Sequence, residues 1–93
     1  SSPAYVFILI EAMADAAESG GRPSAQAYKF AAQAVMGSAK MVLETGKHPA
    51  ELKDMVCSPA GTTIEAVRVL EEMGFRSAVI EAMKTCEEIS KSL

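Results

Sequence analysis

The sequence predicts an all-α domain, a five-helix bundle joined by short loops. Three observations carry that expectation. Apolar residues make up 49% of the chain but aromatic residues only 5%, with no Trp, so the apolar mass is Ala, Val, Ile, Leu and Met, which suits close helix packing better than a β-sandwich. Helix punctuation recurs along the chain: Pro3, Pro23 and Pro49 stand where helices would open, and Gly20-Gly21, Gly46 and Gly74 where they would close. Apolar residues in the C-terminal half recur at helical spacing, and no stretch is left that reads as a strand.

In chain order, Ser2 is the expected N-cap of the first helix, with Pro3 at its first position, and the helix runs to about Glu18 before Gly20-Gly21. Its opening, Ala4-Tyr5-Val6-Phe7-Ile8-Leu9-Ile10, is apolar on every side. A helix apolar all round is buried all round, and a domain of 93 residues rarely encloses one unaided. The first helix therefore calls for a partner surface, either a second copy or the rest of a longer parent chain. A chain that begins directly in a helix also looks like a domain whose parent continues upstream.

The second helix begins at Pro23 or Ser24, with Pro23 at its first position, and runs to about Thr45, stopped by Gly46. Ala25, Ala27, Ala31, Ala32, Ala34, Gly37, Ser38 and Ala39 keep it slim, and Gly37, costing about 1 kcal/mol against Ala in mid-helix, marks either a tight helix crossing or a merely tolerated residue. A short third helix follows from Pro49 to about Val56, with Leu52, Met55 and Val56 facing inward. The fourth spans Thr63 to Met73, with Ile64, Val67, Leu70 and Met73 as its stripe and Arg68, Glu71 and Glu72 toward water. The fifth runs from near Phe75 to about Ser92, apolar at Phe75, Ala78, Val79, Ala82, Met83, Cys86 and Ile89, and charged at Glu81, Lys84, Glu87, Glu88 and Lys91.

Between the third and fourth helices lies Cys57-Ser58-Pro59-Ala60-Gly61-Thr62-Thr63-Ile64-Glu65, where turn-forming residues meet a helix start. Thr62 and Glu65 have the spacing of a capping box, Thr62 at N-cap and Glu65 at N3. Unpaired N–H groups and the partial positive charge of a helix N-terminus attract anions, and Ser58, Thr62 and Thr63 add three hydroxyls. The residues alone leave two readings open: a pocket for a small carboxylate or phosphate, or an ordinary capped helix behind a turn.

Other chemistry is excluded or weak. The net charge of −3 and pI near 5.1 offer no basic patch for nucleic acid. The apolar run from Ala4 to Ile10 is too short to span a membrane and lacks the flanks of a signal peptide. Cys57 and Cys86 make neither a metal site nor a disulfide framework and look like thiols of a cytosolic protein. His48, the single histidine, has no Asp, Glu or Cys at ligand spacing and reads as exposed or capping. Glu11 and Asp15 are i, i+4 neighbours read as a structural or exposed pair. With no nucleophile–base set, metal cluster, Gly-rich dinucleotide motif or P-loop, the chain alone is expected to be inactive.

Several segments together resemble pyrroline-5-carboxylate reductase. They are Ser2-Pro3-Ala4-Tyr5-Val6-Phe7 with Glu11-Ala12-Met13-Ala14-Asp15-Ala16, then Ala31-Ala32-Gln33 with Gly37-Ser38-Ala39-Lys40-Met41, then Glu44 to Asp54, and Leu70-Glu71-Glu72-Met73-Gly74-Phe75-Arg76. The most specific is the turn Asp54-Met55-Val56-Cys57-Ser58-Pro59-Ala60-Gly61-Thr62-Thr63-Ile64. The resemblance covers essentially the whole chain in order. It implies the last step of proline synthesis, reduction of the C=N bond of 1-pyrroline-5-carboxylate to L-proline by NADPH or NADH. It also implies that residues 1–93 are the C-terminal helical dimerisation and substrate-anchoring domain. The N-terminal Rossmann domain that binds most of the cofactor would lie outside the chain, which would hold no cofactor-binding or metal residues of its own.

In that family two helical domains intertwine as a homodimer, some members assemble dimers into decamers, and the enzyme is cytoplasmic. By position, Ser58, Gly61, Thr62 and Thr63 would bind the substrate carboxylate, Gly61 letting the backbone come close. Thr63 would be the catalytic residue, its hydroxyl beside the ring nitrogen. Two departures stand out: Ala60 where many relatives carry Gly, strained if that position needs positive φ, and Ser1-Ser2 where Ser-Gly usually precedes Pro3. The alternative is a helical oligomerisation module without catalysis or an imino-acid ligand; a stand-alone carboxylate-binding bundle fits the first helix less well.

Overall fold

The computed structural model describes residues 1–92. The expected all-α class holds: α1 (Ser2–Ser19), α2 (Ser24–Thr45), α3 (Pro49–Val56), α4 (Thr62–Glu72) and α5 (Phe75–Ser92), with no strand among the described residues. The chain divides into two compact units, Ser1–His48 with α1 and α2, and a second from Pro49 onward with α3, α4 and α5.

The first unit is a helical hairpin. Ala14 of α1 and Ala27 and Ala31 of α2 are buried, with Ile10 and Ala17 packed against them. Alanine at the contact leaves no bulk between the helices, so their axes can approach to the short end of the usual 8–10 Å. Three methyl groups are a small core, worth only about 2–3 kcal/mol at roughly 0.8 kcal/mol each. Two large apolar side chains of α1 lie away from this contact: Phe7 is 64% and Ile8 63% exposed. The face expected to need cover is thus uncovered by the chain itself.

The start of α1 differs from expectation by one residue, and α2 takes the later of its two expected starts. α1 begins at Ser2 with Ser1 at the N-cap, which moves Pro3 one residue inward. Proline is tolerated there because the first N–H groups of a helix have no intrahelical acceptor to lose. Pro23 is the N-cap of α2 rather than its first residue; its ψ of 145° is extended, and its carbonyl accepts the Ala27 N–H at 3.0 Å. Gly46 stops α2 as expected, in a left-handed conformation (φ 67°), its N–H donating to the Val42 carbonyl at 3.1 Å. Gly37 sits at no tight crossing within the chain, since a Cβ built there meets nothing within 4 Å.

In the second unit α4 packs on α5, but no side chain of α3 or α4 is buried. Of the residues expected to face inward, Leu52 and Val67 are half-buried, whereas Met55, Val56, Ile64, Leu70 and Met73 are exposed. The apolar face of α5 is likewise open at Phe75, Val79, Met83 and Ile89. The charged faces lie outward as expected, laced by exposed pairs such as Lys84–Glu81 and Lys91–Glu87, each worth at most about 1 kcal/mol.

Candidate functional site

The site is built by the way α3 hands the chain to α4. The Cys57 N–H donates to the carbonyls of Lys53 and Asp54, both at 3.2 Å, and closes α3. The chain then reverses in a four-residue turn, Ser58-Pro59-Ala60-Gly61, in which the Gly61 N–H donates to the Ser58 carbonyl at 3.1 Å. Pro59, with its fixed φ, takes the second position, and Ala60 takes the third with φ 59°. A positive φ there after a proline is the pattern of a type II turn, which favours glycine. Among the described residues Ala60 is the one non-glycine residue with positive φ. The condition attached to its departure from the family pattern is therefore met, and the residue is strained.

That strain has a measurable consequence. A left-handed conformation costs an L-residue on the order of 1–2 kcal/mol, and glycine returns about 0.5–1 kcal/mol of it through the greater freedom of its unfolded chain. Ala60→Gly is expected to stabilise the protein by about 0.5–1 kcal/mol, read as a higher denaturant midpoint at unchanged m-value. A lower midpoint would contradict the strain.

Within the turn itself Gly61 also spares a close contact. Its φ of −81° and ψ of 170° are open to any residue. A Cβ there, however, would lie 2.6 Å from the Ser58 Oγ and 3.2 Å from the Ser58 carbonyl oxygen. The missing side chain lets the Ser58 hydroxyl close over the residue that caps α4, whatever else approaches.

The expected capping box does not form. The N-cap of α4 is Gly61, Thr62 is already its first helical residue, and no side chain caps the helix. The Glu65 carboxylate turns instead to Arg68, whose Nε donates to Glu65 Oε2 at 3.2 Å while its Nη1 donates to Glu72 Oε2 at 2.8 Å. A charged partner one turn along competes with the backbone for the same carboxylate, and here it wins. The N–H groups of Thr62, Thr63 and Ile64 precede the helix's own acceptors and stay uncapped by any side chain. Ser58, Thr62 and Thr63 are exposed beside them. The turn thus brings together three hydroxyls and three open N–H donors at the positive end of an 11-residue helix. That set can hold a carboxylate or phosphate by charge-assisted hydrogen bonds.

The remaining candidates form no second site. Glu11, Asp15 and His48 are exposed, Cys57 and Cys86 are half-buried thiols, and no group of three metal-ligating side chains occurs among the described residues. Sequence reasoning missed the role of Arg68, read only as facing water, although its i, i+3 spacing from Glu65 was a legible signal. It also missed an open groove on α2 lined by Gln26, Lys29, Phe30 and Gln33, where the Arg22 guanidinium lies 4.6 Å from the Phe30 ring centre.

Fold and turn together define a class: an all-α domain with a bare apolar surface and a helix start that no side chain caps. The chain belongs to the pyrroline-5-carboxylate reductase dimerisation family, whose model matches residues 1–93. It is 81% identical over its whole length to pyrroline-5-carboxylate reductase of Escherichia coli (strain K12), of which it covers 35%. Among solved structures it resembles 1-pyrroline-5-carboxylate reductase of Streptococcus pyogenes, with 37% identity and a TM-score of 0.96 over 99% of this chain and 36% of that one. It also resembles Plasmodium falciparum pyrroline carboxylate reductase, solved with NADP bound, with 32% identity and a TM-score of 0.94 over 98% of this chain and 37% of that one. The chain spans about a third of the length of the curated relatives it matches.

Proposed function

We propose that this chain is the helical dimerisation and substrate-anchoring domain of a pyrroline-5-carboxylate reductase, which reduces 1-pyrroline-5-carboxylate to L-proline with NADPH or NADH. The observation that carries the reading is the match to the family over residues 1–93, with a helix start left open for a carboxylate. The described residues contain no strand and no Gly-rich strand-to-helix turn, so they do not fit a dinucleotide by themselves. The reading assigns the cofactor to a nucleotide-binding domain outside residues 1–93; the Plasmodium relative, solved with NADP bound, supports use of a pyridine nucleotide.

The chain's own contribution is to bind and to aim. The N–H groups of Thr62 and Thr63 and the Ser58 hydroxyl donate to the substrate carboxylate, and Gly61 keeps the way to them clear. The Thr63 hydroxyl then lies beside the ring nitrogen and fixes which face of the C=N bond is presented, a proximity effect. A second copy covers the apolar faces of α1, α4 and α5, giving a homodimer that can assemble further. No helix among the described residues is long and apolar enough to cross a membrane, and the reading places the enzyme in the cytoplasm.

The test compares NADPH oxidation with pyrroline-5-carboxylate by the intact parent protein and by residues 1–93 alone. The parent is expected to turn over and the fragment to be inactive. An inactive parent would leave a helical oligomerisation module, and an active fragment would refute the assignment of the cofactor site to a separate domain.

A further inference from the structure

We propose that Arg68 is a positioning residue for substrate binding: by holding the Glu65 carboxylate, it keeps α4 from capping its own N-terminus. The inference rests on the reading of the turn as the substrate carboxylate site. Thr62-x-x-Glu65 carries the spacing of a capping box, in which the Glu carboxylate takes the N–H of the capping Thr. That donor, the Thr62 N–H, is one of those offered to the substrate. A helical side chain leans toward the N-terminus of its helix, so a released Glu65 reaches back over the first turn. There it would compete for the donor and set a negative charge beside an anionic substrate.

In the structure this does not happen. Glu65 Oε2 is held by Arg68 Nε at 3.2 Å, and the guanidinium is fixed from the other side by Glu72 at 2.8 Å. The helix consequently starts at Thr62, one residue earlier than a closed box would set it, and its first N–H groups stay open. Two carboxylates, Glu65 and the ligand, thus contend for one set of donors, and Arg68 biases the contest. The pair is exposed, which limits the effect to what an exposed ion pair can supply.

The experiment uses the full-length enzyme and its KM for pyrroline-5-carboxylate. Arg68→Met, which keeps the stem and removes the donors, is expected to raise KM about threefold with kcat within about twofold, the span of an exposed ion pair. Glu65→Ala in the same protein is expected to bring KM back to that of the parent without recovering thermal stability lost with the ion pairs. A merely structural Arg68 would lower stability alone, with no change in KM for Glu65→Ala to reverse. Arg76→Met, which frees Glu71 from its 2.8 Å pair and removes the same charge farther along, is expected to leave KM unchanged. An unchanged KM in Arg68→Met, no rescue by Glu65→Ala, or an equal rise in Arg76→Met would each overturn the inference. Ser58→Ala in the same series separates the two levels. If it raises KM while Arg68→Met does nothing, only the role of Arg68 falls. If Ser58→Ala is also silent, the carboxylate site falls and Arg68 with it.

Discussion

Replacing Thr63 with Val in the full-length enzyme is expected to lower kcat/KM by roughly 10- to 100-fold while the assembly and the helix content stay as they are. A hydrogen bond to a charged or charge-developing group contributes about 1.5–3 kcal/mol, and each 1.4 kcal/mol is a factor of about ten. Val has nearly the shape of Thr and lacks only the hydroxyl. That hydroxyl is exposed and caps nothing in α4, so its removal orphans no buried partner within the chain and exacts no folding penalty there. Loss of activity would therefore report on the ligand and not on the scaffold. Steady-state kinetics together with circular dichroism separate the two. Turnover at the parental level would remove Thr63 from the mechanism, and equal losses of helix and activity would reduce it to a structural residue. Ser58→Ala is the natural companion, because the Ser58 Oγ stands so close over Gly61 that its loss should act on carboxylate binding more than on the imine.

What could be read from the sequence divides along physical lines. The helices were legible because their ends are written locally: Gly46 stops α2 in the left-handed conformation that glycine permits, and prolines stand at or beside three helix starts. The exact register at those starts was less legible, since a proline fits both the N-cap and the first helical positions. The turn was found from its residue types, but its cap was assigned to Thr62 because a capping box depends on two residues considered alone. Arg68 entered from one turn further along and redirected Glu65. The strain at Ala60 was conditional on a φ that no composition fixes, and the turn hydrogen bond from Gly61 to Ser58 is what sets it. The apolar faces of α3, α4 and α5 were found, but the chain leaves Met55, Val56, Ile64, Leu70 and Met73 exposed, and on α5 Phe75, Val79, Met83 and Ile89. A stripe at helical spacing states that a face is to be covered; it does not state that the same chain covers it. The role of Ser58, Thr62 and Thr63 toward an imino acid came from the family resemblance, because a helix start accepts many anions alike.

The largest structural effect is expected from the bare side of α1. Phe7→Asp together with Ile8→Asp should convert the full-length protein to a species of lower mass in light scattering. The two side chains are about two-thirds exposed in the chain alone, and adjacent exposed apolar residues of this size mark an interaction surface. Burying each fully is worth about 1.5–3 kcal/mol. In a two-fold symmetric dimer every substitution is made on both sides of the interface, so the loss reaches on the order of 6 kcal/mol even at the low end of that range. That corresponds to a dissociation constant weakened about 10⁴-fold, before the cost of placing four carboxylates in an apolar contact. The hairpin contact within the chain runs instead through Ala14, Ala27 and Ala31, so the α1–α2 pair itself is not attacked by these changes. An unchanged mass would show that Phe7 and Ile8 do not meet a second copy, and the cover for α1 would then have to come from another part of the parent chain. A lower mass with retained helix and lost reductase activity would tie the assembly to the turnover of the site on α4.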